Sequence, residues 1–128
     1  DVSVGTISLT FLKDPTDPVW ANDRGAKLYR RILGRYCTGC DPNDIYNVYA
    51  MASAHTFVDA LRRAGKTPTR AGLMRALTSL KITGNPFVLP GITLRTTARD
   101  RFPIKQARLQ RWTGSRWVQY GPVLNARA

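Results

Sequence analysis

Few side chains in this chain are of types that could do chemistry, and their spacing narrows the choice further. There are two cysteines, one histidine, eight aspartates and no glutamate. The cysteines form the pair Cys37-Thr38-Gly39-Cys40. Structural zinc needs four ligands, and His55 falls on a different element. A thioredoxin-like redox pair opens a helix that follows a strand. Here the pair follows a helix and lies in a glycine-containing turn. What remains is a local disulfide between Cys37 and Cys40, or two idle thiols, with export favouring the disulfide. So short a loop would stabilise the fold only modestly.

General acid–base catalysis needs a carboxylate pair or a histidine beside a partner. Asp14 and Asp17 bracket prolines, and Asp41 and Asp44 sit where caps belong. No two acidic residues share a helical face inside an apolar stretch. His55, among Ala54, Thr56 and Phe57, reads as a helix-face histidine with a satisfied ring nitrogen. No dinucleotide fingerprint, P-loop, nucleophile elbow or zincin motif occurs. The expectation is a non-enzyme with no metal and no cofactor.

Binding chemistry is better represented. Tyr46 and Asn47 stand at the first turn of a helix, just after its cap. Helix N-terminal N–H groups favour anions, and an aromatic ring beside them covers an apolar side chain. That combination suits an amino acid or an aromatic acid; the alternative is that Tyr46 is a core residue. Trp112 and Trp117 flank a turn and are expected to stack across it. Aromatic residues and arginines on a hairpin can also hold single-stranded nucleic acid.

Charge bears on that last reading. The chain of 128 residues carries +12, from fifteen arginines and five lysines against eight aspartates. Such a balance points to nucleic acid or an anionic surface when it is concentrated on one face. Here basic residues never run longer than two, as in Arg30-Arg31 and Arg62-Arg63, and they are scattered over every kind of element. A solvated surface is the expectation, with no nucleic-acid partner.

The elements that must position these residues follow from periodicity and breakers. From Val4 to Leu12, Ile7, Leu9 and Phe11 alternate with Thr6, Ser8 and Thr10, the pattern of a half-buried strand. Lys13 to Pro18 breaks it, and Asp17-Pro18 is a helix start. A helix is predicted over Val19–Tyr36, with Trp20, Leu28, Ile32, Leu33 and Tyr36 as its apolar stripe. A second helix is predicted over Ile45–Ala64. Its first half is apolar or small nearly all round, so it needs more cover than this chain offers. Thr69 caps a third helix to about Leu80, with Leu73, Met74, Leu77 and Leu80 on its inner face. Gly84, Pro86, Pro90 and Gly91 precede a short strand, Ile92-Thr93-Leu94. Ile104–Trp112 and Trp117–Tyr120 flank Thr113-Gly114-Ser115-Arg116 as a hairpin, with Leu109 near Val118. The tail after Pro122 shows little pattern. Asp1 to Gly5 resemble the approach to a strand already under way, not a signal peptide, so the chain reads as a piece of a longer polypeptide.

The order of these pieces resembles solute-binding proteins of ABC transporters for branched-chain amino acids and related compounds. The resemblance is carried by Gly5-Thr6-Ile7-Ser8-Leu9-Thr10-Phe11-Leu12-Lys13-Asp14-Pro15-Thr16-Asp17-Pro18-Val19-Trp20 and by Asp41-Pro42-Asn43-Asp44-Ile45-Tyr46-Asn47-Val48-Tyr49. It continues in Leu89-Pro90-Gly91-Ile92 and in Pro103-Ile104-Lys105-Gln106 through Trp117-Val118-Gln119-Tyr120-Gly121. It implies an α/β chain, a fragment of a two-lobed periplasmic-binding-protein type I fold: three helices, an N-terminal strand and a C-terminal hairpin. Residues 1–13 would be a strand of lobe two and a crossover. Residues 14–104 would form the helical flank of lobe one, and 105–128 the return crossover and hairpin. Lys13, Asp14, Pro15 and Arg108 would lie at the hinge, with the aromatic at position 46 lining the cleft. The implied role is capture of an amino acid or related carboxylate or amide outside the cytoplasmic membrane, for delivery to a permease. Expected partners are that permease, the N-terminal remainder of the same protein and, for the piece alone, further copies of itself. The same lobes also serve as sensing domains of receptors.

Overall fold

The computed structural model describes residues 2–126. The elements are β1 (Ile7–Thr10), a 3-10 turn (Pro18–Trp20), α1 (Arg24–Tyr36), α2 (Ile45–Arg63), α3 (Arg70–Leu77), β2 (Lys81–Ile82), β3 (Leu94–Arg95), β4 (Gln106–Trp112) and β5 (Trp117–Asn125). They fall into a helical body and a three-stranded antiparallel sheet of order β1-β4-β5.

The predicted first helix begins late because the chain carries two caps. Asp17 accepts from the Val19 amide and, with Pro18, starts only the 3-10 turn. Asp23 then accepts from the Ala26 amide at 2.9 Å and starts α1. The α1 residues facing inward are Ala26, Tyr29 and Leu33, one stripe at helical spacing. Trp20, Leu28 and Ile32 are half-buried, but Tyr36 is 73% exposed. It stands on the last turn, past the core, with the Arg35 guanidinium over its ring. Gly25 is required where it is: a Cβ there would lie 1.9 Å from the Pro86 carbonyl oxygen.

Helix α2 is capped by Asp44 and runs as expected. Only Val48, Ala52 and Ala60 are buried, while Tyr46, Tyr49, Phe57 and Val58 stay exposed. Thr69 caps α3 through its hydroxyl to the Gly72 amide. Ala76, not Met74, turns inward there, because Met74 points to solvent. The centre of the core is the irregular stretch Phe87–Leu89 with Ile92 and Leu94, against Leu12, Tyr29 and Val48. Asn85 holds this stretch on α2, donating to the Ala52 carbonyl at 2.9 Å and accepting from the Phe87 amide at 3.1 Å. The predicted strand at Ile92–Leu94 shrinks to β3, which pairs with β2 through Lys81↔Arg95 and Ile82↔Leu94.

In the larger sheet, β1 and β4 pair as Ile7↔Arg111 and Leu9↔Leu109, and β4 and β5 as Leu109↔Tyr120 and Arg111↔Val118. Directly paired residues share a face. Ile7, Leu9, Leu109, Val118 and Tyr120 therefore share one mainly apolar face with Arg111, with Leu109 diagonal to Val118. The predicted inward alternation of β1 does not hold: Ile7 and Leu9 are exposed, because no layer covers this face among the described residues. Strand β5 runs on to Asn125, past the expected end. Gly121 and Pro122 sit at a register irregularity between the pairs Ala107↔Leu124 and Leu109↔Tyr120, where a missing N–H is tolerated.

Two short connections join sheet to body. After β1, Leu12 bridges Val88, the Leu89 amide donates to the Phe11 carbonyl at 2.9 Å, and the Lys13 amide to the Phe87 carbonyl at 3.1 Å. Before β4, the Arg95 amide donates to the Pro103 carbonyl at 2.9 Å.

Candidate functional site

The start of α2 is built from aspartate turns. Asp41 Oδ1 accepts from the Asn43 amide at 2.8 Å and Asp44 Oδ1 from the Tyr46 amide at 2.9 Å. Asn47 Nδ2 donates to the Asp41 carbonyl at 2.9 Å, so its amide group is spent on holding this loop. Beneath the loop, the Tyr29 hydroxyl donates to the Pro42 carbonyl at 3.1 Å. Burial raises the Tyr29 pKa, and the charges of Asp44 and Asp41 raise it further. The ring of Tyr46 is 78% exposed above this platform.

This geometry revises the anion expected at the α2 end. The helix brings its own carboxylate to its N-terminal N–H groups, which satisfies the Tyr46 amide and adds negative charge. Tyr46 thus offers an open aromatic surface beside two carboxylates. Such a surface favours an apolar or cationic group over a bare anion.

The residues expected at the hinge are placed unevenly. Lys13 Nζ is 2.8 Å from Asp23 Oδ2 and lies over the Trp20 ring. Burial works against ionisation of Asp23, but the Lys13 hydrogen bond and the Ala26 amide win and lower its pKa. Asp14 closes its own turn on Thr16, and the Pro15 carbonyl accepts from Arg30 Nη2 at 2.9 Å. Lys13 and Pro15 are thus fastened to α1 and its cap, and Asp14 is held between them in its own turn. Arg108 is in the sheet, opposite Thr10, and donates to the Gly121 carbonyl through Nε and Nη2. Lys13, Asp14 and Pro15 line, with Tyr29 and Val48, a crevice of about 10 Å³, at the limit of room for one water, which Tyr46 does not line.

Cys37 and Cys40 are disulfide-bonded and close the turn after α1. His55 is half-buried with its ring 6.2 Å from that of Phe87, edge to face. Its Nδ1 is buried without a hydrogen-bond partner among the described residues, contrary to the satisfied nitrogen expected. The cause is that an aromatic ring, not a polar group, packs on it. Burial lowers its pKa, and nearby Asp59 only partly offsets this. Trp112 and Trp117 do meet across the hairpin, with ring centroids 5.6 Å apart. No group of three or more His, Cys, Asp or Glu able to hold a metal occurs among the described residues.

One surface feature had no clear sequence signal as a site. A groove of about 170 Å³ runs along α2, lined by Phe11, Tyr49, Phe57, Leu77, Val88 and Ile104 among others. The apolar circumference of α2 announced that this helix lacks cover. It did not say that residues as distant in sequence as Phe11 and Ile104 would share the groove. No described helix is long and apolar enough to cross a membrane.

Neither a protein-family model nor a curated protein matches the chain. Solved structures do. A branched chain amino acid ABC transporter from Thermus thermophilus with bound valine superposes with a TM-score of 0.75 over 98% of this chain, at 18% identity. A protein described as an ABC transporter permease from the Pseudomonas fluorescens group gives 0.72 over 96%, at 21% identity. The chain spans 35% and 32% of the lengths of those two proteins. Its fold is α/β and corresponds to a fragment of the larger fold these transporter proteins share.

Proposed function

We propose that the chain is part of an extracytoplasmic solute-binding component of an ABC importer, which captures an amino acid or related small carboxylate or amide between two hinged lobes. The observation that carries this reading is the superposition of 98% of the chain on a transporter protein that holds valine. The exposed ring of Tyr46 beside Asp41 and Asp44 supports it. An ammonium group would be welcome near those carboxylates, and an aliphatic or aromatic side chain on the ring. A spanning role would need a helix of about 20 apolar residues, which none of the described helices supplies.

On this reading the protein is not an enzyme and uses no cofactor or metal. Its partners are the solute, a membrane permease and the N-terminal remainder of its own polypeptide, and nucleic acid is not among them. That remainder would cover the apolar face of the sheet and the groove on α2. Alone, the piece would self-associate through those surfaces, which light scattering would register as more than one copy per particle.

The test is mass spectrometry of solute co-purified with the full-length protein, followed by thermal shift against a panel of amino acids, amides and carboxylates. A true ligand raises the melting temperature because it binds only the native state. Tyr46→Ala is expected to weaken solute affinity about tenfold, the loss of one aromatic contact. Failure of every solute to raise the melting temperature, with Tyr46→Ala indistinguishable, would count decisively against the reading.

A further inference from the structure

The two connections between sheet and body have almost no slack. On the first, Thr10 is still in β1 while the Phe11 carbonyl already accepts from Leu89. On the second, the Pro103 carbonyl is held by the Arg95 amide, and the Lys105 carbonyl already accepts from Ala126 at 2.7 Å. Any change in angle between the two parts must turn on the bonds around Thr10–Phe11 and Ile104–Lys105. Lys13–Pro15, fastened to α1, would move with the body.

One side chain reaches across this pivot to a segment distant in sequence. Gln106, the first residue of β4, accepts from the Thr93 amide at 2.7 Å through Oε1. Its Nε2 donates to Asn125 Oδ1, at the far end of the hairpin, at 2.8 Å. Both ends of the amide are committed, one to the loop before β3 and one to β5, so the orientation of the group follows from its partners. The other side-chain ties across these connections are local: the Thr10 hydroxyl donates to the Leu12 carbonyl at 3.3 Å, and the partly exposed Lys105 ammonium pairs with Asp100. The hairpin end also packs close here: a Cβ on Gly91 would lie 3.5 Å from Val123 Cγ2.

We infer that Gln106 is a latch: its side-chain amide fixes the angle at which the sheet sits on the helical body. Breaking it leaves the half-buried Thr93 N–H without its acceptor and frees rotation at both connections. Its consequence for solute rests on the transport reading. A protein whose lobes sample more angles spends less time in the binding-competent one, and its apparent affinity falls in proportion.

The test uses Gln106→Leu, which keeps the volume and removes both bonds, and Gln106→Glu, which keeps an acceptor for Thr93. In the Leu variant, hydrogen exchange at the Thr93 amide is expected to quicken about fivefold, the equivalent of one average hydrogen bond. Spin labels at Lys66→Cys and Ser115→Cys, both exposed, are expected to show a broader distance distribution. The Glu variant is expected to restore both readouts toward wild type. An unchanged Thr93 amide, an unchanged distribution, or a Glu variant that behaves like Leu would each overturn the latch. Should the Leu variant fail to fold, Gln106→Met, which also removes the acceptor for Thr93, takes its place; an unchanged Thr93 amide or an unbroadened distribution there overturns the proposal too. Neither readout needs solute. Absence of any solute would sink the transport reading and leave the latch standing, while an unmoved Thr93 amide would sink the latch alone.

Discussion

The helical body and the three-stranded sheet solve the problem of stability differently. The body buries Tyr29, Leu89 and Ile92 almost completely, around a core drawn from every one of its helices. In the sheet no described residue of β1, β4 or β5 is buried. Its strands are held by ladder hydrogen bonds, two tryptophans and the Arg111 guanidinium over Tyr120. A sheet with one open apolar face is marginal alone. The body is a nearly finished unit, and the sheet is half of one.

The largest expected effect would break this contrast if it failed. Leu89→Ala should cost about 3 kcal/mol, the usual range for an emptied core leucine. Leu9→Ala should cost under about 1 kcal/mol, since that residue stays 60% exposed in the fold. Urea unfolding of the two variants measures both. Equal losses would mean that the sheet shares a core with the body.

The disulfide sharpens the comparison next. Cys37–Cys40 staples the end of α1 to the approach of α2, within the body. Loop-closure entropy for so short a ring gives about 2 kcal/mol at most. Cys37→Ser/Cys40→Ser should lower the body's melting temperature and leave amide exchange in β1, β4 and β5 unchanged.

The Lys13–Asp23 pair should come third. Lys13→Met removes a charge-assisted bond to a half-buried cap and should cost about 1 kcal/mol. Asp23 is the α1 cap, and its pKa is lowered in the fold. The stability it contributes is present above its unfolded pKa and is lost as pH falls through the folded value. Lys13→Met should therefore flatten the acid limb of a stability–pH curve.

How much of this was legible in the sequence divides along the same line. Asp44 and Thr69 announced helix starts because capping is local chemistry, whereas Asp17 announced only the 3-10 turn before α1. The tight turn at Gly114 announced the hairpin for the same reason. The open flank of α2 could be read from its composition, which has too few polar positions for one side to face water comfortably. What could not be read depends on contacts between distant segments. Phe87–Ile92, flanked by Pro86, Pro90 and Gly91, has the look of a loop, yet it is the centre of the core because Asn85 anchors it to α2. Ile7 and Leu9 alternate like buried residues, and nothing local says that their cover is missing. At the site, Tyr46 was found by its place after a cap. The role of Asn47 in bracing the Asp41 turn and the two-sided bonding of Gln106 were not, since each needs a partner that sequence spacing does not reveal.

The smallest expected effect concerns His55, which lies on the body's side of the comparison but at the margin of its core. Its imidazole is packed on Phe87, and burial lowers its pKa below the ordinary 6.5. The groups around it are the Asp59 carboxylate, which favours the charged ring, and Arg62, which opposes it. With the folded pKa depressed, the unfolded chain takes up the proton first as pH falls. Stability due to the neutral ring is therefore intact above about pH 6.5 and declines below it, levelling off once pH has passed the folded value. His55→Leu removes the proton and the orphaned Nδ1 together. Its melting temperature should match wild type at neutral pH and exceed it by a few degrees near pH 5, as scanning calorimetry would measure. Amide exchange in β1, β4 and β5 should not respond at either pH, because among the described residues no hydrogen bond or ring contact joins these strands to the Phe87–His55 pair. If the sheet did respond, the two regions would be one cooperative unit after all.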